Sequence, residues 1–436
     1  MNLTSRIESI RKQFPALQRT LGQQPVIYLD GPAGTQVPNQ VADRVREAML
    51  RHNANRHGQF ATSHEVEELM ADAHGKVAAM LGCDDPGEIA FGPNMTTLNF
   101  QLSRAISRTW NPGDEIVVTR LDHDANVTPW VMAAEDRGAL VRHADILTND
   151  ATLDLESLAG QLNERTRLVA VTCASNAVGS KTDVARIVAL ARSYGALVSL
   201  DAVHYAPHGL IDVQAWNCDF LLCSAYKFYG PHVGILWGKR ALLEQVRAYK
   251  VRPAPDSIPE KWMTGTQNHA CIAGVSAAVE YMASLADAND HSSSSPLRQR
   301  WIESMREIEL HESSLTKQML AGLAAMDHVR LYGIASADRI GQRVPTFALT
   351  VDGWKSWDVA KRLGEQGIHA WHGNYYALPL SQRLGREPDG MLRLGLMHYN
   401  TPQEVDRVLD ALTQLTERQP SCPATRPRST GRVGNG

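Results

Sequence analysis

The chain has 436 residues, enough for one large core or two, with 43% hydrophobic and 21% charged residues and a formal net charge of −3. No basic stripe interleaved with aromatics appears, which argues against a nucleic-acid partner, and no apolar run approaches the ~18 residues of a membrane span. Six cysteines, none in a C-x-x-C pair and three (Cys173, Cys218, Cys223) in or beside apolar runs, predict buried free thiols in a reducing cytoplasm and no metal site.

Residues 1–20 read as an amphipathic helical arm, without the long apolar stretch of a signal peptide. "PVIYLDGPAGTQVP" reads as a short strand ending in a turn rich in Gly and Pro. Helical spacing fills about 38–82. From 86 to 260 short apolar runs alternate with helical segments such as "TDVARIVALARSYG". The runs are "EIAFG", "DEIVVTR", "RLVAVTCAS", "GALVSLDA", "DFLLCSA" and "VGILWG". This alternation predicts an α/β fold with a mostly parallel sheet, helices on both faces, and ligands at the carboxyl ends of the strands. Long helices follow residue 270, with an exposed loop at 289–296. Residues 344–399 predict a smaller α+β unit, and the Pro-, Gly- and Arg-rich tail from about 418 is expected to be disordered. The domain division expected is an arm at 1–30 that joins the small domain, a large ligand-binding domain at 31–285, a small C-terminal domain at 286–417, and the tail at 418–436.

Lys227 ends the run "DFLLCSA", between Tyr226 and Phe228. A lysine at a strand end ordinarily lays its stem on apolar surface and keeps its head in water. Held out of water, it loses basicity and becomes a nucleophile for an aldehyde. The other strand ends decide between these readings. After "EIAFG", Asn94, Met95 and Thr96 open a helix. Its first N–H groups, with the hydroxyls of Thr96 and Thr97, make either an ordinary cap or a phosphate cradle. His123, after "DEIVVTR", has a flat ring to lie on an aromatic cofactor. Asn176 and Gly179 follow "RLVAVTCAS". Asp201 closes "GALVSLD", where a carboxylate either caps a turn or partners a protonated ring nitrogen. Ser224 adds a phosphate donor. Each residue alone is also what an ordinary fold contains. In this order on successive strand ends, they make a site for pyridoxal 5'-phosphate, which needs an anion cradle, a stacking ring, a carboxylate for its pyridine nitrogen and a lysine for its aldehyde.

With these motifs the sequence resembles the class V aminotransferase family, within fold type I of the pyridoxal phosphate enzymes. It is most similar to the cysteine desulfurase and selenocysteine lyase branch, over residues 20–415 or so. The resemblance implies a large domain on a seven-stranded sheet, a smaller C-terminal α+β domain, and a homodimer with shared sites that acts on a small amino acid. It makes Lys227, His123 and Asp201 the catalytic set. The small residues Ala33 and Gly34 of "YLDGPAGTQVP" would lie near the substrate. Asn176 matches the asparagine near the cofactor's phenolic oxygen, and His204 stands where relatives usually carry a glutamine for that oxygen. Ser224 and Lys227 match an S-x-H-K motif in which Tyr226 replaces the histidine. Thr266, in "GTQN", matches a threonine that reaches the phosphate of the neighbouring subunit. Arg393, in "LRLGLMHYNT", matches the arginine that clamps the substrate carboxylate.

One departure matters most. Desulfurases of this branch carry a nucleophilic cysteine in a late loop. Here that loop reads "GIHAWHGNYYALPL", with Tyr376 at the cysteine's place and Trp371 at that of a second arginine. The expectation is therefore β-elimination, cleaving the carbon–sulfur bond of a cysteine derivative without an enzyme thiol. Transamination and epimerisation begin with the same carbanion and stay open. So do desulfuration through another thiol, such as Cys271, and a non-catalytic relative.

Overall fold

A computed structural model describes residues 3–286 and 295–415. Most of the loop expected at 289–296 and the whole tail from 418 lie outside the described residues. Seven strands make the large sheet: β1 (Ile89–Gly92), β2 (Glu115–Thr119), β3 (Leu140–Ala144), β4 (Thr166–Thr172), β5 (Leu197–Asp201), β6 (Phe220–Ser224) and β7 (Gly234–Gly238). Their order is β1-β7-β6-β5-β4-β2-β3. All pairs are parallel except the two made by β7, which runs antiparallel to β6 and β1. Strands β1, β2, β6 and β7 are buried at every position, which is why they read as continuous apolar runs. Strand β3, "LVRHA", is the edge strand and half-exposed. Its polar face breaks the apolar pattern, so the sequence did not mark it.

The helical stretch at 38–82 divides into α1 (Asn39–Arg51) and α2 (Ala61–Leu81), and α2 stops at Gly82 in the left-handed conformation. Helix α3 (Met95–Ile106) leaves β1, α4 (His269–Ala283) packs on α1 and α2, and α5 (Leu297–Ala324) is the longest helix described. A second sheet is antiparallel throughout, with β8 (Val329–Tyr332), β9 (Thr346–Val351), β10 (Trp371–Gly373) and β11 (Met391–Gly395) in the order β8-β9-β11-β10. Helices α6 (Ser356–Gly364) and α7 (Pro402–Thr413) accompany it.

The N-terminal arm is not one helix. It forms short turns at Leu3–Arg6, Ile7–Arg11 and Pro15–Gln18, because Pro15 holds Phe14 out of the helical region. Phe14 instead fills a nest of Tyr229, Tyr281 and Tyr399. The early chain joins both hydrophobic cores. Leu3, Ile10 and Phe14 pack with the large-sheet core. Ile27 and Leu29 pack with Phe347, Leu349, Leu392 and Leu394 of the small sheet.

The two sheets meet at a backbone seam. Val344 N donates to Gly179 O at 2.8 Å. Gly179 has φ +80°, and a Cβ there would lie 2.7 Å from the carbonyl oxygens of both Val344 and Thr346. Only glycine permits that approach.

Candidate active site

The carboxyl ends of β4, β5 and β6 and the first turn of α3 line a cavity with about 500 Å³ of space, part of it open to solvent. The cradle on one side depends on Gly234. A Cβ there would sit 2.3 Å from the carbonyl carbon of Asn94, so a bare strand lets the β1–α3 turn come close. Asn94 caps α3 by accepting from Thr97 N at 2.8 Å. Met95 N donates to Ser224 Oγ at 3.1 Å, which leaves the serine hydrogen free to donate. Asn94, Met95, Thr96 and Ser224 therefore line one wall with N–H and O–H donors.

His123 lines the cavity from the loop after β2, and its Nδ1 accepts from Ala125 N at 3.0 Å. Burial, with the charges of Lys227 and Arg393, pushes it down to about 4, so its ring is neutral. Asp201 ends β5 with Oδ1 accepting from Val203 N at 2.8 Å. Burial raises its carboxyl to about 6, while that hydrogen bond and Lys227 hold it toward the ionised form. Asn176, after β4, gives its Nδ2 to Tyr375 O at 2.9 Å, and its buried Oδ1 has no partner among the described residues. His204 lines the cavity and pairs through Nε2 with Thr346 Oγ1 at 2.8 Å.

After β6 a turn of 3-10 helix, Ala225–Lys227, swings the lysine over the cavity. Its Nζ donates to the carbonyl of Pro32. By area Lys227 is only half-buried, because it opens onto the cavity, yet it lies far beneath the outer surface. Burial first, and then Arg393, lower it to about 7 against the opposing pull of Asp201. Tyr226 stacks on His232 with centroids 5.0 Å apart and 13° between the planes. Gly34 backs that ring, where a Cβ would meet it at 3.4 Å, and Ala33 sits in the same half-buried turn. Neither small residue lines the cavity itself.

Arg393 stands behind the site on β11 of the other sheet, almost fully buried, and does not itself line the cavity. Its Nη1 donates to Asn176 O at 2.9 Å, its guanidinium lies 4.3 Å from the Tyr375 ring centroid, and its buried Nε has no partner among the described residues. Tyr375 and Tyr376 are both left-handed, with φ of 56° and 60°. The first ring turns inward under Arg393. The second is 73% exposed at the rim, 5.5 Å from the His123 ring. Trp371 is also exposed. Thr266 is exposed and away from the cavity of its own chain.

Sequence reasoning missed Thr172, Ala174, Ala125 and Val203 in the lining. Thr172 and Val203 flank strand ends already singled out, so that signal was present. It also missed Thr346, which enters from β9, and no local pattern announces that pairing. No cysteine among the described residues lines the cavity. Cys173, Cys218 and Cys223 are buried thiols, all raised by burial, Cys218 to about 12. Cys271 lies half-buried on α4 and is raised as well.

The aminotransferase class-V family model matches residues 27–408. Cysteine desulfurases of Salmonella agona (strain SL483) and Pectobacterium carotovorum subsp. carotovorum (strain PC1) are each 32% identical to this chain. The Salmonella match spans 95% of this chain and 99% of the relative, and the Pectobacterium match 94% and 98%. Among solved structures, the cysteine desulfurase CsdA (S-sulfonic acid) of Escherichia coli superposes with a TM-score of 0.79 at 28% identity, covering 94% of this chain and 98% of that one. The apo cysteine desulfurase of Thermococcus onnurineus NA1 shares the fold at a TM-score of 0.82 and 24% identity, over 94% and 97% of the two chains.

Proposed function

The chain belongs to the class-V aminotransferase family and is a pyridoxal-phosphate-dependent enzyme of fold type I, and we propose that it cleaves the carbon–sulfur bond of a cysteine-type amino acid by β-elimination, without a persulfide on the enzyme. One observation carries this reading: no thiol among the described residues lines the cavity, and the late loop "GIHAWHGNYYALPL" holds no cysteine.

The residues present suit the cofactor. The donor wall at the start of α3 suits a phosphate, and Asn176 Nδ2, which gives one hydrogen to Tyr375 O, has a second left to donate. In this reading Asn94, Met95, Thr96 and Ser224 would hold the phosphate, with Tyr226 beside them. His123 would lie on the ring, Asp201 would face its nitrogen, and Asn176 and His204 would meet its phenolic oxygen. When bound, pyridoxal phosphate supplies an electron sink for the pair left at the substrate Cα. Lys227, lowered to about 7, is partly free base near neutrality and takes the Cα proton. Arg393, held beside the cavity by its bond to Asn176 O, would bind the substrate carboxylate and so orient the Cα–H bond. The sulfur then leaves Cβ as a thiolate or persulfide anion, and no enzyme nucleophile is consumed.

We also read the active unit as a cytoplasmic homodimer. Exposed Met49 and Leu50 lie on α1, against which α4 packs, and exposed Thr266 just precedes α4. The free thiols suit a reducing compartment. The test of the reaction is a panel of amino acids assayed together for pyruvate, sulfide, keto acid and deuterium exchange, with Cys83, Cys173, Cys218, Cys223 and Cys271 replaced singly by Ala or Ser. Pyruvate formation that survives every replacement is expected. A folded, cofactor-loaded variant without turnover, together with one added sulfur atom on that cysteine in the wild type, would refute it.

A further inference from the structure

Neutral histidine carries its proton on one ring nitrogen or the other, and the choice decides whether it offers a cavity a donor or a lone pair. For His204 the surroundings make that choice. Nε2 faces Thr346 Oγ1 at 2.8 Å, and Thr346 is fully buried. That hydroxyl has no other hydrogen-bond partner among the described residues. If His204 carried its proton on Nε2, two hydrogens would compete for one contact, and the threonine O–H would be sealed in without an acceptor. The arrangement that satisfies both groups has Thr346 donating to a bare Nε2. The proton of His204 then resides on Nδ1, which has no protein partner among the described residues and is not among the sealed-off atoms. With the ring in the cavity wall, Nδ1 opens inward.

We infer that Thr346 is a positioning residue for this site: its hydroxyl fixes His204 as the tautomer protonated on Nδ1, so the ring presents a neutral N–H donor to an anionic oxygen of the bound ligand.

Burial, and after it the charges around the ring, keep it neutral. His208 stands edge-on at 5.5 Å, with its own Nδ1 paired to Glu312 Oε2 at 2.8 Å. The positive charges of Lys227 and Arg393 act on the same ring. Burial and these neighbours all act against a second proton. A glutamine could give the same oxygen an N–H, but its amide can rotate to present either end. The histidine cannot, provided that Thr346 holds it. The identity of the oxygen as the cofactor's phenolic oxygen rests on the function proposed above; the tautomer does not.

The experiment therefore begins without cofactor. Protein labelled with 15N-histidine is examined by long-range 1H–15N correlation, with His204→Gln assigning the His204 signals by their loss. Wild type is expected to show a protonated Nδ1 and a bare Nε2 at His204. Thr346→Ser should keep that pattern, and the near-isosteric Thr346→Val should lose it. A wild-type His204 protonated on Nε2 would overturn the inference even if the valine variant failed to fold. So would a valine variant with the wild-type pattern. In cofactor-loaded protein, the pH midpoint of the visible absorption should rise in Thr346→Val and return in Thr346→Ser, because the donor favours the ionised oxygen. One midpoint shared by all three proteins would sink the role toward the cofactor. Failure of the wild type to take up pyridoxal phosphate would instead defeat the function proposed above, and the histidine signals would still decide this one.

Discussion

Replacing Lys227 by methionine should make the cofactor-free protein more stable, by an amount that depends on pH. The charged lysine is held in a place that disfavours it: burial first, and Arg393 next, bring it from 10.5 to about 7. At about 1.4 kcal/mol per pH unit, that is about 5 kcal/mol against the charged form. Because the folded value lies below the unfolded one, the unfolded chain binds the extra proton between about 7 and 10.5. Wild-type stability therefore rises with pH through that window, and the penalty is complete below it. Lys227→Met removes the penalty, at a cost of about 1 kcal/mol for the bond to the Pro32 carbonyl. Asp201 loses a favourable charge, which trims the gain further. The net expectation is a gain of about 3–4 kcal/mol near pH 6 that shrinks by about 3 kcal/mol near pH 9. Denaturant unfolding of both cofactor-free proteins at the two pH values measures it, provided that the slope with denaturant is unchanged. An equal gain at both values, or a loss near pH 6, would show that the lysine is not desolvated as described.

Asp201→Asn should keep the fold and lower turnover by about 30- to 1000-fold, the scale of losing a charge-assisted partner worth about 2–4 kcal/mol; a rate within about twofold of wild type excludes the role. Lys227→Ala should bind pyridoxal phosphate reversibly and retain none after borohydride reduction and denaturation, and retained label would move the attachment elsewhere. Gly234→Ala should weaken cofactor binding more than it weakens the fold, since its Cβ would meet Asn94 at 2.3 Å, and an unaltered dissociation constant would show that the cradle does not hold phosphate. Sedimentation should find a dimer that Met49→Asp loosens with loss of activity, and a fully active monomer would remove Thr266 from any shared site.

Much of the large sheet was legible because burial on both faces writes strands as apolar runs, and six of its seven strands were marked in this way. The strand missed, Leu140–Ala144, is half-exposed at the edge. Strands Val329–Tyr332 and Trp371–Gly373 escaped for the same reason, each being largely exposed or half-buried. Within the site, Lys227 and Asp201 were legible because polar residues ending buried strands stand out against their neighbours. Thr346 was not, because it meets His204 across 142 residues of sequence and itself begins an ordinary small-sheet strand. The tilt of Arg393 onto Tyr375 was equally hidden, since it depends on two successive left-handed tyrosines that no propensity favours.

The seam at Gly179 also bears on how far Arg393 could shift against the large sheet. The loop entering β9 bonds the loop leaving β4 through backbone there, and Ala348 of β9 pairs directly with Arg393 of β11. The site end of the small sheet is therefore its fulcrum. Arg393 lies one strand across from Ala348, two residues past Thr346, so at about 3.3 Å per residue and about 4.8 Å between strands a 10° swing about the seam would carry its backbone about 1.5 Å. A lever pivoted beside its load is poor at opening a door. Rocking of the small sheet about that point therefore moves Arg393 less than it moves the parts of the sheet farther from the seam.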